Sequence, residues 1–174
     1  EIDPYFAGIF ASEGGYSGHM TRGQYVCNGV VISQNIDSDI HDTCVKYMSD
    51  LESPNPLRIT YRRRRGCPDN ALIKRYGRDV GDKFSRIFGI GSANIGLPEE
   101  FIFYTDDELK RLLCGVIDGD GCVTQEVSGL KSGRGAISIE ITSLIMIQQL
   151  SLICDKFGLT YRVNVCTVRK LTRN

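Results

Sequence analysis

The sequence lacks a long apolar run: no stretch approaches the roughly 18 residues that a membrane-spanning helix needs. Its first residues show no basic segment followed by an apolar one, so they do not resemble a secretory signal. A net charge is missing as well, since 21 basic residues balance 21 acidic ones. These absences predict a chain without membrane contact that is not secreted. We expect it inside the cell.

The seven cysteines lack the Cys-x-x-Cys spacing of many zinc and redox sites, and an odd number does not suit a disulfide framework. Most of them stand among apolar neighbours, which favours buried thiols over zinc ligands or disulfides. A reducing, intracellular setting agrees with this interpretation. At 174 residues, the chain is long enough for one core, held by one domain or shared by two halves. Because it begins at Glu1 and not at Met, we expect an excerpt of a longer protein.

The neutral total hides a basic block in the middle of the chain. Residues 1–57 hold eight acids and two bases, whereas residues 58–86 hold ten bases and three acids. The densest part runs from Arg62 to Arg65. A run of like charges is usually a solvated face, and contact with an anionic partner is the alternative.

The stretch from Thr105 to Gly121 is typical of a capped helix that ends on an acid. Thr105 and Glu108 form a capping box, and apolar residues follow at helical spacing, so the helix should begin near Asp106. Asp120 stands between two glycines, which suit a helix terminus and a tight exit into a strand. We therefore expect a helix that aims Asp120 out of its end.

A second stretch, Asp3 to Gly14, repeats this pattern near the start of the chain. Asp3 is a good N-cap, Pro4 suits the first helical position, and the stretch again ends with an acid followed by glycine. Small residues at i,i+4 spacing in both stretches would let the two helices approach closely. Three pairs of positions are each 107 residues apart: Gly8 and Gly115, Glu13 and Asp120, and Gly14 and Gly121. This shared offset predicts an internal duplication.

The first half should continue as a hairpin over residues 15–34, a helix capped at Asp37 and a strand over residues 57–65. In that strand, apolar residues would alternate with Arg58, Thr60, Arg62 and Arg64. Residues 66–104 do not fit the repeat and are predicted to be a basic linker, with short helices over 72–76 and 80–88.

The second half repeats the order from residue 105. We expect a hairpin over residues 122–142, a helix capped by Ser143 and closed at Gly158, and a strand over 161–170. The predicted organisation is a first repeat at 1–65, the linker at 66–104 and a second repeat at 105–174, with both repeats sharing one core.

Two helices that each end in a carboxylate would bring Glu13 and Asp120 together. Adjacent carboxylates repel unless a cation lies between them, and a divalent metal with oxygen ligands meets this need. Mg²⁺ there would lower the pKa of a water and stabilise the leaving oxygen of a phosphodiester. Basic strand faces suit DNA phosphates and guanine edges. The candidate DNA-binding residues are Arg58, Arg62, Arg63, Arg64, Arg65, Arg162, Arg169 and Lys170.

These motifs resemble those of the LAGLIDADG (dodecapeptide) homing endonucleases, most closely the endonuclease domains of inteins. Phe6-Ala-Gly-Ile-Phe-Ala-Ser-Glu-Gly14 is similar to the first motif and Leu113-Cys-Gly-Val-Ile-Asp-Gly-Asp-Gly121 to the second. Leu97-Pro-Glu-Glu-Phe before the second motif is typical of the intein type. The resemblance covers nearly the whole chain.

The resemblance implies an α+β fold of two pseudo-twofold-related α-β-β-α-β-β repeats, with antiparallel, saddle-shaped sheets for DNA. It implies that Glu13 and Asp120 are catalytic and bind Mg²⁺, with Mn²⁺ as a substitute. The expected activity is double-strand cleavage at a long DNA site by a monomer with internal pseudo-twofold symmetry. An intein splicing domain in cis would be a further partner. The resemblance also implies a location in the cytoplasm or nucleoid of a prokaryote or of a virus-infected cell.

Departures from the family keep a second hypothesis open, a catalytically degenerate nucleic-acid-binding protein of the same fold. Ala11 and Glu13 stand where the family commonly has aspartates, and residues 92–98 lack the lysine usual there. The second half lacks the family's last strand and helix, and splicing junctions are missing. Candidates for a basic residue near the scissile phosphates are Lys74, Lys131 and Lys170. His19 and His41 are predicted to be surface or hairpin residues.

Overall fold

The computed structural model describes residues 2–63, 69–124 and 136–165. In these residues the protein is mixed α+β, with antiparallel sheets and five α-helices. The elements in chain order are α1 (Pro4–Glu13), β1 (Gly14–Thr21), β2 (Gln24–Asn35), α2 (Asp39–Asp50), β3 (Leu57–Arg62), β4 (Asn70–Tyr76), α3 (Arg78–Phe88), a 3₁₀ turn (Glu99–Phe103), α4 (Asp106–Asp120), β5 (Gly121–Thr124), β6 (Ala136–Ile139) and α5 (Leu144–Lys156). None of these helices is both long enough and apolar enough to span a bilayer.

The predicted caps of α1 and α4 are confirmed. The Asp3 carboxylate accepts hydrogen bonds from the amides of Tyr5 and Phe6 at the start of α1. Thr105 and Glu108 form both hydrogen bonds of the capping box at the start of α4. Each cap satisfies amides that have no partner within the helix, so both starts are encoded locally.

Both helices end on a glycine that lies against the last helical turn. The Gly14 amide donates to the Phe10 carbonyl, and the Gly121 amide donates to the Ile117 carbonyl. A Cβ atom would lie only 2.2 Å from that oxygen at Gly14 and 2.3 Å from it at Gly121. Glycine is therefore needed at both positions because a side chain would collide with the helix carbonyl. Backbone conformation is not the reason, since the φ angles of −76° and −79° are ordinary.

The first sheet has the strand order β1-β2-β4-β3, with each neighbouring pair antiparallel. The predicted hairpin of β1 and β2 is confirmed. The short helix predicted over residues 72–76 is wrong, because these residues lie in β4, which pairs with β2 on one side and β3 on the other. The predicted boundary after residue 65 therefore falls between two paired strands.

The helix α2 begins one residue later than predicted. Ser38, and not Asp37, is its N-cap, and the Ser38 hydroxyl accepts a hydrogen bond from the His41 amide at 3.2 Å. The helix predicted over residues 80–88 is confirmed as α3. It buries Val80, Phe84 and Phe88, which share one helical face.

A single cluster of buried side chains includes residues from both halves of the chain. The Phe10 ring of α1 lies at its centre, with centroids 4.7 Å from Phe84 and 4.8 Å from Phe88. Leu112 of α4 and Met146 of α5 belong to the same cluster. Helix α1 is thus held by apolar contacts, and its position fixes that of Glu13 at its end.

In the second half, β5 and β6 pair antiparallel from Gly121–Ile139 to Thr124–Ala136. Ser143 caps α5, as predicted, by accepting a hydrogen bond from the Met146 amide. The strand predicted over 161–170 is wrong for residues 161–165, which are in neither helix nor strand. Residues 166–170 lie outside the described part of the chain.

The prediction of buried cysteines holds only in part. Cys27 and Cys44 are buried, and Cys154 is half-buried. Cys114 and Cys122 are exposed, so the prediction is wrong for these two. Cys67 and Cys166 are outside the described residues.

Candidate metal centre and nucleic-acid interface

Helices α1 and α4 pack backbone to backbone through two glycines. A Cβ atom at Gly8 would lie 2.1 Å from the carbonyl oxygen of Leu112, and one at Gly115 would lie 2.0 Å from that of Tyr5. Leu112 is 107 residues from Tyr5, as Gly115 is from Gly8. The contacts are therefore reciprocal, as in an interface that a two-fold axis generates.

The same offset relates the hairpins that follow the two helices. Gly14 pairs with Ile32 in the first hairpin, and Gly121 pairs with Ile139 in the second. The pairing of Ser17 with Gly29 likewise corresponds to the pairing of Thr124 with Ala136. In each half, the acid is therefore the last residue of the helix, and the next residue begins the hairpin.

At the ends of α1 and α4, Glu13 lies next to Gly119, the residue before Asp120. A Cβ atom at Gly119 would lie 2.9 Å from the Ser12 Cβ and 3.4 Å from the Glu13 Cγ. Burial, and then the charge of Asp120, raise the pKa of Glu13 above its ordinary value. The charge of Asp120 therefore acts on Glu13, which is the effect expected if the two carboxylates lie near each other, as the sequence predicts.

Another acid, Glu140, lies close enough to Asp120 to affect its pKa and was missed from the sequence. Burial, and then the charge of Glu140, raise the pKa of Asp120. Glu140 follows β6 directly and is exposed. The alternation of isoleucines with Ser138, Glu140 and Thr142 is the sequence signal that places it on the polar face of the strand.

Asp120 and Glu140 line a cavity of about 420 Å³ at the end of the helix pair. Its other walls come from the end of α1, the start of β1, the loop after α3 and the residues before α5. Hydroxyl groups of Ser12, Ser92 and Thr142 belong to these walls. None of the described residues that line the cavity is a lysine or an arginine.

The donor set at this site fits Mg²⁺. Among the described residues, no three His, Cys, Asp or Glu side chains gather into a group that could hold a metal ion. Mg²⁺, however, is usually bound through one or two carboxylates, with water and substrate phosphates as the other ligands. Asp120 lines the cavity and Glu13 does not, but the charge of Asp120 raises the pKa of Glu13. These two carboxylates repel each other in the way that a divalent cation between them relieves.

One hydrogen bond between the two helices has no equivalent across the 107-residue offset. The Tyr5 hydroxyl donates a hydrogen bond of 2.7 Å to Asp118 Oδ2. The residues 107 positions away, Leu112 and Ala11, are both apolar and buried. Ala11 therefore belongs to the apolar core, whereas Asp118 is exposed.

Basic residues gather on the outer face of β3 and β4. Arg58 and Arg62 are exposed, and Arg58 is the register partner of Lys74. The alternate residues Ile59 and Ile73 point the other way, and Ile73 is fully buried in the core. The structure thus places two predicted DNA-binding arginines and Lys74 together on one side of the sheet.

Two further predicted residues, Arg63 and Arg162, lie outside β3 and β4. Arg63 follows β3 and its Nε lies 3.2 Å from Asp69 Oδ2, although its side chain is 86% exposed. Arg162 is exposed in a segment without helix or strand. His19 is exposed, as predicted, but His41 is buried in α2, so the surface prediction is wrong for it. The candidates outside the described residues are Arg64, Arg65, Lys131, Arg169 and Lys170.

No protein-family model matches this chain, and no curated protein sequence matches it.

Proposed function

We propose that the chain is a site-specific, double-strand DNA endonuclease of the LAGLIDADG type, built from two pseudo-twofold-related repeats. The observation that carries this proposal is the reciprocal packing of α1 and α4 through Gly8 and Gly115. A pair of helices with this symmetry delivers one carboxylate from each repeat to the same end. In a DNA duplex with a local two-fold axis, each strand would then lie next to one of the two acids.

In this proposal Glu13 and Asp120 hold Mg²⁺ with their carboxylates. The bound metal supplies a positive charge that lowers the pKa of a water and stabilises the leaving oxygen of a phosphodiester. The glycine contacts between α1 and α4 set the separation of the two acids. Arg58, Arg62 and Lys74 bind phosphates and fix the position of the duplex on the sheet.

The activity is tested by cleavage of a randomised duplex DNA library in Mg²⁺, followed by sequencing of the cut ends. The wild type, Glu13→Gln and Asp120→Asn are compared with Asp37→Asn, which removes an exposed acid just before α2. We expect cuts at one long site with the wild type and Asp37→Asn, and none with the other two variants. Equal cutting by Asp120→Asn would exclude the proposed metal site.

A second candidate function, nucleic-acid binding without cleavage, is favoured by the wall of the cavity. Ser92 and Ile95 line the cavity together with Asp120, and both belong to residues 92–98, the segment in which the family usually carries a lysine. A basic residue there would polarise the water near the scissile phosphate. Binding of one selected sequence with no cuts in either Mg²⁺ or Mn²⁺ would support this second function and contradict the first.

A further inference from the structure

The basic face of the sheet ends in a polar recess of about 340 Å³ where β3 begins, β4 ends and α3 starts. None of the described residues that line this recess is acidic. The recess opens beside Arg58, which links it to Lys74 on the sheet face. Its lining residues are Asn28, Asn55, Pro56, Arg58, Tyr76, Gly77 and Arg78.

Arg58 is held in place at the recess by Tyr76. Its guanidinium carbon lies 5.5 Å from the centroid of the tyrosine ring. An arginine stacked on a ring loses little of its hydrogen-bonding capacity, because its N–H groups point outward in the guanidinium plane. Tyr76 thus orients an arginine whose donors remain able to bind an anion.

Arg78 brings a second guanidinium to the recess from the first position of α3. Its Nε lies 3.7 Å from Asp82, but both side chains are substantially exposed, at 77% and 43%, so this ion pair is weak. Gly77, the N-cap of α3, has no side chain to cap the helix. The amides of Asn28 and Asn55 also line the recess. Asn28 Nδ2 lies 3.0 Å from His19 Nδ1, and Asn55 Nδ2 donates to the Tyr76 carbonyl at 3.4 Å, so each amide keeps its second N–H as an uncharged donor.

We infer that this recess binds a phosphate of the DNA backbone at the edge of the sheet, with Arg58 and Arg78 as its two charged contacts. The inference rests on the proposed function, because it needs a duplex on the outer face of β3 and β4. Two guanidinium groups and two amides form a donor set that matches the oxygens of a phosphodiester. Such a contact anchors the duplex without reading its sequence.

Salt-dependent binding to a duplex of random sequence tests the inference. Arg78→Gln is compared with Arg86→Gln, which removes the same charge from an exposed residue near the other end of α3. We expect Arg78→Gln to weaken binding and to lower the slope of log K against log salt by about 1. Arg86→Gln should leave the slope unchanged.

A second pair of variants tests whether binding depends on the recess itself or only on the number of positive charges. Tyr76→Leu removes no charge, yet it should weaken binding because Arg58 loses its platform, whereas Tyr76→Phe keeps the ring and should bind like the wild type. Circular dichroism checks that each variant is folded. Equal slopes for the Arg78 and Arg86 variants would overturn the inference while leaving DNA binding intact. Failure of the wild type to bind any duplex would overturn the proposed function itself.

Discussion

Gly8 and Gly115 each lie against the main chain of the other's helix. The two close approaches, to the carbonyl oxygens of Leu112 and Tyr5, are related by one offset of 107 residues. The two contacts are therefore reciprocal, as they would be in a two-fold interface. Because protein interiors are close-packed, this arrangement fixes the spacing of the two helix ends within narrow limits.

Replacement of Gly115 by alanine should destabilise the fold. The new methyl group would have to displace the Tyr5 carbonyl, and overpacking of this kind costs about 1–3 kcal/mol, which exceeds the helix-propensity gain of about 1 kcal/mol. Urea denaturation measures the free energy of unfolding. Gly15→Ala is the control, since its nearest neighbour, Val31 Cγ1, would lie at an ordinary 3.5 Å. Equal effects of the two changes would contradict the close helix contact.

The sequence predicts those features that local residues encode. The caps at Asp3, Thr105 and Ser143 were all predicted correctly from the sequence, because a capping side chain binds amides only two or three residues away. The meeting of Glu13 with Asp120 was predicted from a longer-range signal, the repeated offset. Such a signal exists only because both halves carry the same motif.

Features that depend on distant partners were missed. β4 is a strand because β2 and β3 lie on either side of it, and no local window contains those strands. Residues 161–165 show the opposite error: they alternate like a strand, but no strand among the described residues pairs with them. Glu140 was overlooked as a site residue because only the hairpin register brings it near Asp120.

The ion pair between Asp3 and Arg111 should make stability depend on pH in the acid range. Burial alone would raise the pKa of Asp3, but hydrogen bonds from Arg111, Tyr47 and the Phe6 amide outweigh it and hold the pKa below its ordinary value of 3.8. The stabilisation is therefore complete above pH 3.8 and is lost as the pH falls through the lower pKa of the folded state.

Asp3→Asn isolates this effect because asparagine is an equally good N-cap. At pH 6 the variant should be less stable than the wild type by about 1 kcal/mol or less, as for other partly exposed ion pairs. The difference should shrink toward zero as the pH falls below 3.8. A difference in unfolding free energy that does not shrink in acid would contradict a contribution from the ion pair.

Gln149 should stabilise the segment that leads from the cavity wall to the 3₁₀ turn. Its amide accepts a hydrogen bond of 2.7 Å from the Leu97 N–H and donates one of 3.1 Å to the Leu97 carbonyl. Gln149→Ala leaves both groups of a buried residue without these partners, at about 1–3 kcal/mol for each. Thermal unfolding should show this loss, whereas Gln148→Ala, on the exposed side of α5, should change little.

Arg62 should contribute one phosphate contact. Arg62→Gln is expected to lower the slope of log K against log salt by roughly 0.9 in duplex binding. Arg63→Gln should change it less, because Arg63 follows β3 and is not part of the row that Arg58, Arg62 and Lys74 form on the outer face. The control is Lys46→Gln, an exposed residue of α2, the helix that packs Cys44 and Met48 into the core. Equal slopes for Arg62→Gln and Lys46→Gln would exclude the outer face as the DNA surface.

Asp120→Asn should have opposite effects on stability with and without Mg²⁺. In a chelating buffer the change removes repulsion from Glu13, so the variant should be more stable than the wild type by about 1 kcal/mol or less at this partly exposed site. Mg²⁺ should stabilise the wild type, by about 2.7 kcal/mol at a hundredfold excess over the dissociation constant, and should not stabilise the variant. Thermal unfolding with EDTA or Mg²⁺ measures both effects, with Asp37→Asn as the control. If Mg²⁺ stabilises the variant as much as the wild type, the metal must bind elsewhere. A site formed by two carboxylates cannot keep its affinity when one of them is replaced by a neutral group.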